Sequence, residues 1–135
     1  MEKTLAIIKP DAVKAGHIGK IIDRIEKEGF VIKGIKMLSL SQKEAESFYE
    51  IHKDRPFFGE LVEFMISGPV VVLALSKANA IKAWRDLMGS TNPAEAAPNT
   101  LRRLFGTSIG NNATHGSDSI ENGIREVKFF FPSIN

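Results

Sequence analysis

The chain of 135 residues contains no cysteine. That absence excludes disulfide scaffolds, thiolate metal centres and cysteine nucleophiles together. Histidine is sparse as well: His17, His52 and His115 are scattered along the chain, which gives poor support for an all-imidazole zinc site. There is no long hydrophobic run. The most apolar stretch, Val70-Val71-Val72-Leu73-Ala74-Leu75, falls far short of the roughly 20 residues that cross a bilayer. Met1-Glu2-Lys3-Thr4 lacks the basic, apolar and small-residue zones of a signal peptide, so a cytoplasmic protein with no membrane partner is expected. Neither sign of charge dominates, since 18 Lys+Arg against 16 Asp+Glu leaves +2. With no basic block, nucleic acid is not expected as the main partner. Any anionic ligand must be met by cations placed locally.

What remains is an ordinary globular composition, 43% hydrophobic and 25% charged. Its length suits a single domain over residues 1–135. Thr4–Lys9 reads as a buried strand stopped by Pro10. Ile18, Ile21, Ile22 and Ile25 have helical spacing, with Gly29 placed to end the helix. Phe30–Ser39 reads as a second strand. Ser41-Gln42-Lys43-Glu44 is a capping box opening a helix through Tyr49 and Ile51. Phe58, Leu61, Val62 and Met65 mark another helix, closed by Gly68-Pro69. Val70–Ser76 is a strand buried on both faces, and Ile81, Trp84 and Met88 form a helix ending at Gly89. A loop to Asn99, a short helix at Leu101–Phe105 and an irregular stretch to His115 follow. Asp118-Ser119-Ile120-Glu121 reads as a second capping box, and Val127–Phe131 as a last strand. Without the extra helical hairpin the order is βαββαβ. That is the ferredoxin-like α+β plan, a four-stranded antiparallel sheet with helices packed on it.

The chemistry-bearing stretch is Gly110–Ser119. His115 is the side chain most readily made a nucleophile or acid/base near neutral pH. Gly116 beside it would let a bulky group approach the ring without meeting a Cβ. The helix start that follows offers free N–H groups to a phosphate. Glu126 is placed to accept a hydrogen bond from one ring nitrogen and free the other. The same residues also suit an ordinary capped loop. Lys9, Arg85 and Arg102 surround a long polar loop and together suit a polyphosphate, though each alone reads as solvated charge. Phe57-Phe58 offers a ring for stacking or for the core. Tyr49 and His52, three residues apart, reach for the same phosphate or simply close their helix. The two commonest nucleotide cradles, Gly-x-x-x-x-Gly-Lys-Ser/Thr and Gly-x-Gly-x-x-Gly, are missing. No acidic or histidine spacing makes a metal cage, so any magnesium is expected on substrate phosphates. An RNA-binding sheet would want aromatic pairs that Thr4–Ile8 and Val70–Ser76 lack.

The stretch Asn112-Ala113-Thr114-His115-Gly116-Ser117-Asp118-Ser119 resembles the active-site signature of nucleoside diphosphate kinases. Agreement runs over nearly the whole chain: Ile8-Lys9-Pro10-Asp11, Arg55-Pro56-Phe57-Phe58, Ser67-Gly68-Pro69 and Gly89-Ser90-Thr91-Asn92-Pro93. The resemblance implies ping-pong transfer of a γ-phosphate, mainly from ATP, to nucleoside diphosphates with broad base specificity. It implies Mg2+ as cofactor. His115 would attack through Nδ1 and carry the phosphoryl group, with Glu126 and Ser117 orienting the ring. Lys9, Tyr49, Arg85, Thr91, Arg102 and Asn112 would hold phosphates or ribose hydroxyls. Phe57 and Ile109 would flank the base. A homo-oligomer is implied, a hexamer in preference to a tetramer. Asn99 and Asn111 depart from the family's frequent glycine and arginine, and His52 is matched in only some members. The chain ends at Pro132-Ser133-Ile134-Asn135, without the long tail that parts of the family use between subunits. A non-catalytic nucleotide-binding module is the alternative, and the presence of every nominated residue counts against it.

Overall fold

Uninterrupted apolar segments build the centre of the sheet. A computed structural model describes residues 1–134, and Asn135 lies outside the described residues. The strands are β1 (Lys3–Ile8), β2 (Val31–Leu38), β3 (Val70–Ser76) and β4 (Thr114–His115), ordered β2-β3-β1-β4 with every neighbouring pair antiparallel. All seven residues of the central β3 are buried, as are Thr4 to Ile8 of β1. Alternate residues point to opposite faces. Ala6, Ile8, Val71, Leu73 and Leu75 pack into one core, and Leu5, Ile7, Val70, Val72 and Ala74 into the other. Both faces need covering, and that is why these strands read as continuous hydrophobic runs.

Helices supply the cover. α1 (Pro10–Lys14) starts directly after β1, with Pro10 at the first helical position. α2 (Ile18–Lys27) follows and lays Ile21 and Ile25 on the first core, each worth about 1.5–3 kcal/mol of burial. α3 (Gln42–Phe48) opens at the expected box: Glu44 N–H donates to Ser41 Oγ at 3.1 Å, and Ser41 N–H to Glu44 Oε1 at 2.9 Å. It ends at Phe48 and passes into a 3-10 turn at Glu50–His52. α4 (Phe58–Met65) completes the hairpin over the second core. α5 (Ala80–Met88) places Trp84 in the first core and stops at Gly89, whose φ of 85° only glycine adopts freely. α6 (Leu101–Phe105) and α7 (Ile120–Phe130) complete the chain. Among the described residues no helix is long and apolar enough to cross a membrane.

The ferredoxin-like plan holds, but its fourth strand is not the expected one. Val127–Phe131 does not form a strand. Val127 and Phe130 lie three apart on α7 and both enter the second core, a helical spacing that overrides their β preference. The strand beside β1 is Thr114–His115, pairing Ile7 with His115 and Ile8 with Thr114. The box expected at Asp118–Glu121 does not form, and the helix starts one residue later with a single cap bond. Ser119 is the N-cap, and its Oγ accepts Asn122 N–H at 3.1 Å. Asn99 does take positive φ, 73°, as asparagine in a tight loop can.

Candidate active site

His115 sits at the end of β4, on the edge of the sheet, with α7 returning beside it. Its Nε2 lies 2.9 Å from Glu126 Oε1. A carboxylate there can only accept, so the proton belongs on Nε2 and Nδ1 keeps a free lone pair. Ser117 Oγ donates to the same Oε1 at 2.8 Å and itself accepts Leu5 N–H at 3.1 Å, tying the carboxylate to β1. The Glu126 side chain is only 6% exposed, and Arg125 Nη2 stands 3.6 Å from its other oxygen. Phe48 and Tyr49 each stand T-shaped to the imidazole, at centroid distances of 5.4 and 6.1 Å. Trp84 Nε1 donates to the His115 carbonyl at 3.0 Å. Backbone, ring and carboxylate are therefore all held before any ligand arrives.

Gly116 lines the cleft beside His115, but the side on which it lacks a Cβ is packed rather than open. A Cβ there would come within 2.4 Å of Trp84 Cδ1 and 2.6 Å of Met88 Cε, both inside the core. The glycine lets Trp84 close against the strand that carries His115.

The cations gather at the same end. Lys9, just past β1, donates from Nζ to Asn112 Oδ1 at 2.9 Å, and Asn112 Nδ2 donates to the Thr91 carbonyl at 3.1 Å. Burial, with Arg102 nearby, pulls the Lys9 ammonium down to about 8, against the opposing charge of Asp11. Arg102 donates to the carbonyls of Gly89 and Thr114, joining the long loop to β4. Burial and then Arg85 lower its guanidinium to about 10. Two like charges pressed together and short of water make a site that an anion relieves. The Tyr49 hydroxyl is buried with no partner, and burial followed by the Glu126 charge pushes its ionisation well above the ordinary phenol range.

These side chains open on a cleft of about 710 Å³. Lys9, Tyr49, Thr91, Arg102, Asn112, His115 and Glu126 line its inner part, and Phe57 and Ile109 its mouth. Phe57 is 46% and Ile109 61% exposed, so both present apolar surface to solvent at the cleft. The His52 ring lies between the two ends, 5.8 Å from Phe57 and 6.5 Å from Tyr49. Asn111 also lines the cleft. Its backbone carbonyl accepts Thr107 N–H at 2.8 Å, so the loop is closed through the main chain. Ser117 stands behind the cleft, fully buried. Arg85 is the exception among the expected residues: it faces a neighbouring cavity of about 720 Å³, which Thr91 and Arg102 also border. Phe48 and Arg125 escaped the sequence reading. Phe48 looks like any core residue of an amphipathic helix, while Arg125, next to Glu126 in the chain, was there to be noticed. Among the described residues no group of three His, Asp or Glu side chains gathers as a metal cage.

The family model for nucleoside diphosphate kinase matches residues 2–135. A nucleoside diphosphate kinase of Chlamydia abortus is 60% identical over 134 residues, spanning 99% of this chain and 95% of the relative. One from Desulfotalea psychrophila is 56% identical, over 99% of this chain and 98% of its own. Among solved structures, the Aquifex aeolicus nucleoside diphosphate kinase superposes with a TM-score of 0.95 at 50% identity, covering 96% of this chain and 94% of that one. The Encephalitozoon cuniculi enzyme, crystallised in the apo form, gives 0.93 at 38% identity over 97% and 89%.

Proposed function

The chain belongs to the nucleoside diphosphate kinase family, and from that premise we propose how its cleft performs the reaction. The enzyme transfers the γ-phosphate of a nucleoside triphosphate to a nucleoside diphosphate. In the proposed mechanism the Nδ1 lone pair of His115 attacks the γ-phosphorus. The bond to the bridging oxygen breaks, and the diphosphate departs with that electron pair. The ring, now joined to phosphorus, keeps its proton on Nε2 against Glu126, whose charge balances the cationic imidazole. An acceptor diphosphate then enters the same cleft, and its terminal oxygen takes the phosphoryl group from Nδ1. Lys9, Arg102, Asn112 and Thr91 hold the phosphates, Tyr49 offers its unpartnered hydroxyl to phosphate or ribose, and Arg85 adds charge from the adjoining cavity. There is little covalent work beyond this; positioning and charge carry the rate.

Mg2+ fits this site as a group carried by the nucleotide, since cations rather than a carboxylate cage face the phosphates, and it would supply charge neutralisation there. Phe57 and Ile109 sandwich the base. Stacking without hydrogen bonds to base edges discriminates weakly, which suits ATP as main donor and many acceptors. The single domain of residues 1–135 would act in the cytoplasm, where its substrates are, as a homo-oligomer, a hexamer in preference to a tetramer. Edge strand β2 supports that association, because Val31, Ile35 and Met37 lie about half exposed on it. The native mass in solution tests it.

One observation carries the mechanism: Nε2 is engaged by a buried carboxylate while Nδ1 stays free. Intact mass after mixing with ATP and magnesium should show one added phosphoryl group, lost in acid and discharged by a diphosphate. His115→Ala should neither label nor transfer, and normal turnover by that variant would refute the mechanism.

A further inference from the structure

Asp11 has no part in the mechanism above, yet it reaches Lys9 by two routes. Its Oδ2 accepts the backbone N–H of Ala113 at 3.1 Å. Ala113 holds φ at 73°, a left-handed conformation that strains an alanine and needs an outside anchor. With Ala113 so fixed, its carbonyl accepts Lys9 N–H at 2.8 Å, and the preceding Asn112 presents Oδ1 to Lys9 Nζ at 2.9 Å. One carboxylate thus anchors the loop that grips both the backbone and the side chain of Lys9. Asp11 Oδ1 is buried and accepts no hydrogen bond. An anchor alone needs one acceptor, for which an amide serves as well. The second oxygen adds only charge.

We propose that Asp11 is a positioning residue for phosphoryl transfer: it aims Lys9 at the nucleotide phosphates by pinning Ala113, and through that link sets a carboxylate near the buried ammonium. The setting requires such a charge. Lys9 is buried beside the like-charged Arg102 of α6, and both lower its proton affinity to about 8, with Asp11 of α1 opposing them. The other titratable groups lining the cleft are Tyr49, His52, Glu60, His115, Asp118, Arg125 and Glu126. The inference rests on Lys9 holding a phosphate.

The test compares wild type, Asp11→Asn, Asp11→Ala and Lys9→Gln by kcat/KM from about pH 6.5 to 9.5, since kcat/KM reports ionisations of the free enzyme. Asparagine keeps an oxygen for Ala113 N–H and removes the charge. The wild type should lose efficiency on an alkaline limb near pH 8, and Lys9→Gln should be impaired with that limb flattened. In Asp11→Asn the limb should move to lower pH, so that in alkaline buffer it falls roughly threefold further than wild type. Asp11→Ala should add a rise in KM at the acid end, where asparagine rescues it. An unmoved limb in Asp11→Asn, with Lys9→Gln impaired, overturns the role of Asp11 and leaves that of Lys9 standing. A Lys9→Gln enzyme with wild-type efficiency and limb overturns both.

Discussion

The two ends of the cleft are built on opposite principles. At the inner end the groups around His115 are tied to one another and to the sheet: Nε2 to Glu126, Ser117 to Glu126 and Leu5, Lys9 to Asn112, and Arg102 to two carbonyls. At the mouth, Phe57 and Ile109 stand largely in solvent. Phosphoryl transfer tolerates little error in where a lone pair and a phosphorus meet, so the inner end is fixed in advance. In the proposed function the mouth takes the base, which needs only a flat apolar surface. That contrast would let one chain be exacting about chemistry and permissive about nucleotide.

That contrast can be broken at graded cost. Glu126→Gln should lower the rate of His115 labelling on the order of a hundredfold or more while nucleotide affinity changes little, because ring orientation and charge balance are lost and the phosphate cations remain. Rapid-quench labelling with separate binding measurements distinguishes the two effects. Gly116→Ala should destabilise the protein by about 1–3 kcal/mol, since its Cβ would enter the space of Trp84 and Met88. Thermal melting gives the cost. Transfer should fall with it, because His115 rides on the same backbone. Phe57→Ala should raise KM roughly tenfold for purine and pyrimidine substrates alike and leave kcat nearly intact. A loss confined to one base would mean that the mouth reads identity, and the contrast would fail. Ser41→Ala, remote from both ends, should cost about 1 kcal/mol of stability and no activity.

A pH experiment sharpens the same division. Lys9 titrates near 8 in the folded chain against 10.5 ordinarily. Between those values the unfolded chain holds a proton that the folded one has released, so Lys9 contributes stability that grows as pH rises. Stability from this residue is complete above 10.5 and lost as pH falls through 8. Activity should run the other way, because only the ammonium binds phosphate. Melting and kcat/KM followed together between about pH 8 and 10 should therefore diverge.

Much of this was legible in residues alone. β1 and β3 announce themselves as continuous apolar runs and the Ser41 box as a helix start, whereas His115 and Glu126 suit a capped loop equally well until the family resemblance gives them roles. What escaped depends on tertiary contact. Thr114–His115 is too short to carry a strand pattern and is a strand only because Ile7 and Ile8 lie alongside. Val127–Phe131 has strand-like composition, but the spacing of Val127 and Phe130 fits a helix lying on the second core. Gly116 suggested open space for a substrate, whereas the space is filled by Trp84. Arg85 was expected among the phosphate ligands, and its place in an adjoining cavity that shares Thr91 and Arg102 with the cleft could not be read from the sequence. Asp11 stood in a recognisable motif without a role, because the strained Ala113 it anchors lies about a hundred residues away in the chain.

The central claim is that Nδ1 of His115 alone carries the phosphoryl group while Nε2 remains bound to Glu126. Phosphorus–nitrogen coupling in NMR spectra of the histidine-labelled enzyme, recorded after reaction with ATP and magnesium, tests it directly. A phosphorus bonded to Nδ1 of His115, with the proton retained on Nε2, is the predicted result. Phosphorus on Nε2, or on any residue other than His115, would contradict it.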